Sequence, residues 1–340
     1  MSSILEVRDL RTSFRTDDGI VKAVDGVSFT VDKGQTLGIV GESGSGKSVT
    51  SLTVMGLNDK RAATSTGSVL LDGQEILGVS SSKLQEIRGT RLAMIFQDPM
   101  TSLNPVKSIG WQLSEAVLVH NDVTKSAARN RAIELLAQVG IPNPERRVDD
   151  YPHQFSGGMR QRVMIAMALI NNPDVLIADE PTTALDVTTQ AQILRLMKSL
   201  QDEYHMAIIM ITHDLGVIAE VADDVVVMYG GKVVEQATVV DLFENPQHPY
   251  TWGLLGSLPR LDSKADRLEQ IPGQPPSLLR PPAGCAFHPR CEFAFDRCSK
   301  EVPALVEFGG ANHLHRCFLG DETRQREWAR KRAAMRVEAA

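Results

Sequence analysis

One short segment constrains the fold of this 340-residue chain more than any other. The apolar run QTLGIV, residues 35–40, ends at the glycine-rich GESGSGKS of residues 41–48, and VTSLTVMGL follows with helical spacing. The pattern G-x-x-x-x-G-K-[ST] between a strand and a helix predicts a loop whose backbone N–H groups point at phosphate oxygens, beside the positive end of the helix. We therefore expect a nucleotide-binding loop at the end of a sheet strand.

The residues of this loop are expected to have different tasks. The Lys47 amine should reach the β- and γ-phosphates of a nucleotide, and the Ser48 hydroxyl should ligate Mg²⁺. A glycine-rich turn with a chance lysine is the alternative, and the flanking strand and helix disfavour it. The predicted nucleotide-binding residues of the loop are Gly41, Ser43, Gly44, Gly46, Lys47, Ser48 and Val49.

A second acidic site follows another apolar run. In DVLIADEPTTALD, residues 174–186, the buried-strand pattern of residues 175–178 ends in Asp179 and Glu180. Because the carboxyl ends of parallel strands face one crevice, Asp179 is predicted in the Mg²⁺ shell and Glu180 as general base for an attacking water. The alternative is an acidic pair that complements a helix dipole, and Pro181 argues against it.

Between these two sites lies a second candidate anion-binding helix start. In FSGGMRQRVMIAMALI, residues 155–170, Ser156 is a predicted N-cap and two glycines offer bare backbone N–H groups. The segment resembles the LSGGQ signature of the ATP-binding cassette ATPases. The family's other motifs are present in order: the glutamine loop at Gln97, Ala184-Leu185-Asp186 after the second acid, and the switch histidine at His213.

The resemblance covers about residues 4–245 and implies the cassette fold. That α/β fold combines a RecA-like sheet and an antiparallel β subdomain with a helical signature subdomain, here at about residues 100–168. Two cassettes bind head to tail, so that ATP joins them and hydrolysis releases them. The resemblance implies that Glu180 and His213 are the catalytic residues. It implies that Ser48 and Gln97 contact Mg²⁺, and that Gln97 and Asp179 also bind the nucleotide. The implied contacts with the partner's nucleotide are Ser156, Gly157, Gly158 and Asp186.

The aromatic ring that stacks on adenine in the family is missing from its usual place. In DDGIVKAVDG, residues 17–26, the matching position is Ile20 or Val21. Aliphatic packing against adenine is one expectation, and a Phe14 side chain that folds over the base is the other.

Composition and charge limit what the chain can associate with directly. It is 42% hydrophobic and 23% charged, and its net charge of −6 gives no long-range attraction for nucleic acid. The segment MSSILEVRDLRTSF, residues 1–14, alternates like a strand and lacks the apolar core of a signal peptide. Apolar runs are far shorter than the ~20 residues that span a bilayer, so any membrane association is expected to need a partner.

Three longer phrases resemble the ATPase subunits of bacterial dipeptide and oligopeptide importers, and of some nickel importers. They are FQDPMTSLNPVKSIGWQL, ENPQHPYTWGLLGSLPR and IPGQPPSLLRPPAGCAFHPRC. The resemblance implies a peripheral protein on the cytoplasmic side of the inner membrane that hydrolyses ATP to power peptide import. The implied partners are two transmembrane permease subunits, a second homologous ATPase and, through the permeases, an extracytoplasmic peptide-binding protein, with no nucleic acid.

Alternatives remain for the function and for the residues after Gln97. A nickel importer ATPase is one alternative, and a soluble cassette ATPase acting in DNA repair or translation is another. Residues 98–103 are expected to form part of the cleft that receives the permease. Met100, Leu103 and Trp111 are equally well explained as core residues of the helical subdomain.

The composition changes towards the carboxyl terminus, where prolines cluster and helical periodicity fades. We expect a cassette domain at 1–245, a small appended domain at 246–320 and a charged terminal helix at 321–340. The four cysteines of the chain all lie in the appended domain. They are Cys285, Cys291, Cys298 and Cys317.

Three explanations compete for these cysteines, which have the spacing C-x5-C-x6-C-x18-C. The resemblance favours a [4Fe–4S] cluster, which some peptide-importer ATPases carry in this region and which accepts widely spaced thiolates. Zinc is the second explanation, since His288, His313 or His315 could complete its ligand set, although the close cysteine pairs typical of zinc are absent. Metal-free thiols are the third. Stabilisation of the domain is the favoured role of a metal, and redox regulation the alternative.

Overall fold

The computed structural model describes residues 3–98, 102–183, 185–258, 270–309 and 312–337, with side chains up to residue 333. Ala184 of the predicted motif after the second acid lies outside the described residues, as do residues 99–101 of the predicted permease cleft. No helix in the described part of the chain is long and apolar enough to cross a membrane.

The strands and helices of the described residues alternate along much of the chain. The strands are β1 (Leu5–Thr16), β2 (Gly19–Val31), β3 (Thr36–Val40), β4 (Ala63–Leu71), β5 (Gln74–Glu75), β6 (Leu92–Ile95), β7 (Val175–Asp179), β8 (Ala207–Thr212), β9 (Asp224–Tyr229), β10 (Lys232–Thr238), β11 (Val306–Phe308) and β12 (His313–His315). The helices are α1 (Lys47–Val54), α2 (Ser81–Ile87), α3 (Ile109–Leu118), α4 (Lys125–Gln138), α5 (Pro144–Arg147), α6 (Gly157–Leu169), α7 (Val187–Tyr204), α8 (Leu215–Val221), α9 (Val239–Glu244), α10 (Pro249–Gly256) and α11 (Asp321–Val337).

The chain divides into two compact units. The first consists of Met1–Leu5, Thr30–Gln35 and Leu70–Met210. The second consists of Glu6–Phe29, Thr36–Val69 and Ile211–Ala340.

In the first unit, a parallel pair of buried strands carries the second acidic site. Strand β6 pairs with β7 in parallel, from Leu92 opposite Val175 to Ile95 opposite Ala178. Every residue of β7 is buried, as expected for a parallel strand that is covered on both faces. This strand ends at Asp179, so the acidic pair stands at its carboxyl end.

Helices α3, α4 and α6 of the first unit pack together and form the helical subdomain. Leu113 of α3 and Leu135 of α4 are completely buried in it. Gly110 lets α3 approach the residue after α5 closely, because a Cβ atom on Gly110 would lie 2.4 Å from Cγ2 of Val148. Leu103 is also buried, which supports its interpretation as a core residue. Trp111 is 44% exposed, so it is not a core residue.

In the second unit, the phosphate-loop strand belongs to a row of paired strands. The order is β11-β12-β10-β9-β3, and β3 runs parallel to β9. Strand β10 pairs antiparallel with both β9 and β12. The carboxyl-terminal segment therefore extends this sheet through the pairing of Glu235 with His315. The boundaries of an appended domain at 246–320 stay a prediction.

Candidate nucleotide site

The phosphate loop follows β3 and depends on glycine at two positions. Gly41 has φ 153° and Gly46 has φ 104°, and both lie in the region that side-chain-bearing residues avoid. A Cβ atom on Gly41 would lie 2.2 Å from the carbonyl oxygen of Met228, and one on Gly46 would lie 2.4 Å from that of Ala23. The sequence therefore requires glycine here for conformation and for space.

Two polar side chains of this loop, Lys47 and Ser45, are placed as a phosphate-binding loop requires. Lys47 begins α1 and is 6% exposed, and its Nζ donates to the carbonyl oxygens of Gly41 at 2.6 Å and Glu42 at 3.0 Å. The hydroxyl of Ser45 is buried and has no hydrogen-bond partner among the described residues. The buried Lys47 ammonium and the unsatisfied Ser45 hydroxyl both fit a loop that receives phosphate oxygens.

Glu180 stands directly after β7 in a strained backbone conformation. Its φ is 49°, which is unusual for a residue other than glycine, and such strain concentrates at functional sites. The Gln97 amide donates to Oε2 of Glu180 at 3.0 Å, and the Thr183 hydroxyl donates to the same oxygen at 2.8 Å. The neighbouring Asp179 is 6% exposed. The first unit thus brings together the predicted general base and the glutamine of the predicted glutamine loop.

The signature segment forms the helix start that its sequence predicts. Ser156 caps α6 by accepting a hydrogen bond from the backbone N–H of Met159 at 3.4 Å. Gly158 has little room for a side chain, because a Cβ atom would lie 2.9 Å from Cγ2 of Thr189. No heavy atom lies within 4 Å of the corresponding position on Gly157. The first turn of α6 therefore presents backbone rather than side chains.

Asp186 caps the next helix of the same unit. Its carboxylate accepts hydrogen bonds from the backbone N–H of Thr189 at 2.9 Å and from the Thr189 hydroxyl at 2.7 Å. The hydroxyl bond, followed by the backbone bond, lowers the pKa of Asp186 below its ordinary value. The side chain is therefore an ionised N-cap of α7, and its predicted contact with a partner's nucleotide stays a prediction.

The remaining predicted residues lie in the second unit. His213 follows β8 directly and is exposed, and Asp214 after it caps α8 by accepting from the N–H of Gly216 at 2.8 Å. The adenine candidate Ile20 is 57% exposed near the start of β2, and Val21 and Phe14 are partly exposed. The choice between aliphatic and aromatic packing on adenine stays open.

Sequence reasoning missed three residues that touch the site residues. Thr183 donates to Glu180, the Tyr250 hydroxyl accepts from the backbone N–H of Glu42 at 2.8 Å, and Arg290 pairs with the Glu42 carboxylate. Thr183 could have been found from its spacing, since it lies three residues after Glu180. No local pattern predicts Tyr250 or Arg290, because each is more than 200 residues away from Glu42 along the chain.

The four cysteines lie in one region of the second unit. Burial, followed by the nearby thiols of Cys317, Cys285 and Cys298, raises the pKa of Cys291 to about 12. Burial also raises the pKa of Cys317 to about 11. The backbone N–H of Cys285 donates to the carbonyl of Cys298 at 2.8 Å, which ties two of the loops together. Because burial raises the pKa of Cys291 and of Cys317, metal binding would have to displace protons from these two thiols.

The described residues do not form a preassembled site for a single metal ion. No three His, Cys, Asp or Glu side chains among them converge closely enough to hold one. Two of the histidines that could have completed a zinc site are engaged elsewhere. The His288 ring is bonded to the carbonyl of Cys285 at 2.9 Å, and His313 is bonded to the buried Glu235 carboxylate at 2.8 Å. Each contact occupies one ring nitrogen and is compatible with ligation through the other, so the zinc alternative stays open.

Two protein families match the chain. Residues 24–183 match the ABC transporter family, and residues 234–298 match the oligopeptide/dipeptide transporter C-terminal region. Among solved structures, the dimeric post-hydrolysis state of the ATP-binding cassette MJ0796, bound to ADP and Pi, has 27% sequence identity and a TM-score of 0.62. The alignment covers 69% of this chain and 98% of the MJ0796 chain. The structure of cbiO1 from Clostridium perfringens has 30% identity and a TM-score of 0.61, over 72% of this chain and 92% of that one.

Similarity to characterised proteins extends over nearly the whole chain. The dipeptide transport ATP-binding protein DppD of Lactococcus lactis subsp. cremoris is 55% identical over 319 residues, which are 94% of this chain and 91% of that protein. The oligopeptide transport ATP-binding protein OppD of Bacillus subtilis is 52% identical over 321 residues, 94% of this chain and 90% of that protein. The α/β fold, the phosphate loop and these matches agree. The chain belongs to the family of ATP-binding subunits of dipeptide and oligopeptide ABC transporters.

Proposed function

We propose that this protein is the ATP-hydrolysing subunit of a membrane importer for dipeptides or oligopeptides. One observation carries the proposal: more than half of the residues are identical to a dipeptide transport ATP-binding protein along 94% of the chain. The match to the peptide-transporter C-terminal region supports it, because it lies outside the ATPase motifs. These matches favour peptide import over nickel import, and over a soluble ATPase of DNA repair or translation.

Within one chain, the proposed ATP-binding residues have separate tasks. The N–H groups of the loop from Gly41 to Val49, with Ser43 and Gly44 among them, bind phosphate oxygens, and Lys47 leaves its carbonyl acceptors for the β- and γ-phosphates. Ser48 and Gln97 are the Mg²⁺ contacts, with Asp179 in the surrounding shell. When bound, Mg²⁺ neutralises charge that develops on the phosphates.

Glu180 and His213 are the proposed catalytic residues. The Glu180 carboxylate orients and deprotonates the attacking water, and its bonds from Gln97 and Thr183 fix the carboxylate plane for that task. His213 stabilises the γ-phosphate as the bond to it breaks. Because hydrogen bonds hold Glu180 in place against its backbone strain, little reorganisation is needed before the reaction.

The proposed partner of the nucleotide site is a second homologous ATPase. Ser156, Gly157 and Gly158 start α6 with bare backbone N–H groups, which suit the phosphates of a nucleotide held by the other subunit. Asp186, the N-cap of α7, is the fourth proposed contact with that nucleotide. Binding of ATP then favours the closed pair, and hydrolysis reverses this population shift.

The helical subdomain offers a surface for the permease subunits. A cavity of about 510 Å³ lies between α3 and α4, and its lining includes Trp111, Leu118 and Val119. These apolar side chains are 44%, 36% and 71% exposed, and Val106 nearby in sequence is 74% exposed. An apolar patch of this kind suits docking of another protein. The chain would thereby sit on the cytoplasmic side of the inner membrane, and reach a peptide-binding protein through the permeases.

Assembly and transport test this proposal together. The chain, produced together with candidate permease subunits, should copurify with them in detergent and hydrolyse ATP faster when reconstituted with a peptide-loaded binding protein. Uptake of a labelled dipeptide or tripeptide into vesicles should require ATP. Isolation from cytosol with DNA or ribosomes, and without permeases, would support the soluble alternative.

For the four cysteines we propose a [4Fe–4S] cluster. The proposal rests on four thiols that lie within electrostatic reach of one another, and on the preference of iron–sulfur clusters for soft thiolate ligands. Bound to Cys285, Cys291, Cys298 and Cys317, the cluster would crosslink a region that is poor in regular structure. Its proposed role is stabilisation.

Chemical analysis of anaerobically purified protein tests the cluster. We expect about four iron atoms and about four inorganic sulfides per chain, with a visible charge-transfer absorption band. The variant Cys298→Ser should lose iron, sulfide and the absorption band together. Zinc without sulfide, or no metal at all, would overturn the proposal.

A further inference from the structure

The phosphate loop contains a carboxylate, and its negative charge must be offset by a positive charge if the loop is to bind phosphates. Glu42 directly follows Gly41, and its side chain is 27% exposed. A carboxylate in a loop that binds phosphates opposes binding, because like charges repel each other across a partly solvated site. Arg290 supplies the compensation: its Nη1 donates to Oε2 of Glu42 at 2.5 Å, and its Nη2 donates to Oε1 at 3.0 Å. Such a two-bond pair fixes both charge and orientation.

Contacts other than the one with Glu42 also hold the Arg290 side chain in place. Its side chain is 4% exposed, and its Nε donates to the carbonyl of Pro272 at 2.8 Å. Its Nη2 also donates to the carbonyl of Ile271 at 3.0 Å, and its Nη1 donates to the hydroxyl of Tyr229 at 3.2 Å. A guanidinium with this many fixed acceptors loses little freedom when it pairs with the loop.

The same residue of the loop is fixed through its backbone. The N–H of Glu42 donates to the Tyr250 hydroxyl at 2.8 Å, and the carbonyl of Glu42 accepts from Nζ of Lys47 at 3.0 Å. Tyr250 packs on Tyr229 with ring centroids 4.5 Å apart, and Phe287 packs on Tyr229 at 5.2 Å. The loop therefore rests on side chains from the carboxyl-terminal segment.

We propose that Arg290 is a positioning residue for ATP binding, which neutralises the Glu42 carboxylate and holds the phosphate loop in its binding conformation. Arg290 directly precedes Cys291, so the compensating charge comes from the cysteine segment. The inference concerns ATP binding alone and does not depend on peptide import.

The chain contains a matched control in the same segment. Arg297 directly precedes Cys298, as Arg290 precedes Cys291. Its Nε donates to Glu301 at 2.8 Å, and its guanidinium lies 4.1 Å from the ring centroid of Phe318. The Arg297 side chain is 56% exposed, so its ion pair is a surface pair of small energetic value.

The proposal is tested by isothermal titration calorimetry, which measures the Kd of the full chain for ATP in the presence of Mg²⁺. In R290Q the Glu42 carboxylate loses its compensating charge, so the Kd for ATP should rise roughly three- to tenfold. In the double variant E42Q/R290Q the repelling carboxylate is gone, so affinity should recover to within about twofold of the unmodified chain. E42Q alone should bind ATP at least as tightly as the unmodified chain, and R297Q should not change the Kd.

A general structural role predicts a different order of affinities. If Arg290 only supported the fold, the double variant would bind ATP as weakly as R290Q or more weakly, and that result would overturn the proposal. An unchanged Kd in R290Q would also overturn it. R290K retains the charge but not the two-bond geometry, so it should fall between R290Q and the unmodified chain if positioning contributes beyond charge. Thermal melting of each variant shows which of them are folded at the binding temperature.

Discussion

The Gln97 amide and the Glu180 carboxylate are joined by a hydrogen bond of 3.0 Å in the first unit. The glutamine therefore orients the proposed general base, in addition to its proposed contact with Mg²⁺. The same carboxylate oxygen accepts from Thr183 at 2.8 Å, and the residue that carries it has a positive φ. Hydrogen bonds thus hold a strained residue where a water must be activated.

Replacement of Glu180 by Gln should stop turnover and preserve binding. An amide is nearly the same size as the carboxylate but cannot accept the proton of the attacking water. We expect the ATP hydrolysis rate to fall about 10²- to 10⁴-fold, with an unchanged Kd for ATP. Phosphate release by the purified transporter measures the rate. E203Q is the matched control, since Glu203 is exposed and pairs with Gln138 in the same unit. Sustained ATP hydrolysis at this site in E180Q would show that Glu180 is not the general base.

Replacement of Gly46 by Ala should strongly weaken ATP binding, because it changes the geometry of the phosphate loop. The added methyl group would lie 2.4 Å from the carbonyl oxygen of Ala23, and alanine is strained at φ 104°. We expect the Kd for ATP to rise more than about 100-fold, since the loop must move away from its phosphate-binding conformation. Calorimetric titration of the full chain measures this Kd. Gly320 is the matched control, because no heavy atom lies near its added methyl position. Tight ATP binding by Gly46→Ala would contradict this account of the loop.

Local sequence patterns were sufficient for the elements that carry the ATPase motifs. The apolar run before the phosphate loop became β3, the run at residues 175–178 became β7, and Ser156 became the N-cap of α6. In each case, hydrophobic run length or capping chemistry acts within a few residues. The residues that determine these elements therefore lie within the elements themselves or directly beside them.

Contacts between distant residues were not predictable from the same patterns. Arg290 and Glu42 are 248 residues apart along the chain, so no local pattern connects them. The buried Glu235 is a second example. Its carboxylate accepts from the backbone N–H of His248 at 3.0 Å, from the Thr251 hydroxyl at 2.6 Å and from His313. A single glutamate in a strand gives no indication of such partners.

Introduction of a charge at Val119 should weaken permease binding without affecting ATP. Val119 is 71% exposed beside the cavity of the helical subdomain, so aspartate is tolerated in the free chain but is unfavourable in an apolar interface. We expect V119D to lose most permease copurification and to retain its Kd for ATP. Val240 is 66% exposed on α9 of the second unit, and V240D is the matched control. Equal recovery of the permeases with V119D and V240D would place the docking surface elsewhere.

Acid should destabilise the chain through His248. This residue is buried, and its Nδ1 accepts from the backbone N–H of Tyr250 at 3.0 Å at the start of α10. Burial, with a further effect from nearby His315, lowers the pKa of His248 to about 3, against about 6.5 when unfolded. Because the folded chain binds this proton less tightly, the stabilisation is complete above pH ~6.5 and is lost as the pH falls towards 3. At pH 5 the loss is about 2 kcal/mol.

Denaturant unfolding at pH 7.5 and pH 5 measures this loss, and two variants isolate its source. His248→Asn keeps a side-chain acceptor for the helix cap but does not titrate, so the variant should lose less stability between the two pH values than the unmodified chain. His153 is exposed, so His153→Gln should leave the pH dependence unchanged. The nearby positive charges of Arg316 and Arg324 also oppose protonation of His248. If His248→Asn shows the same pH dependence as the unmodified chain, another group must bind the proton on unfolding.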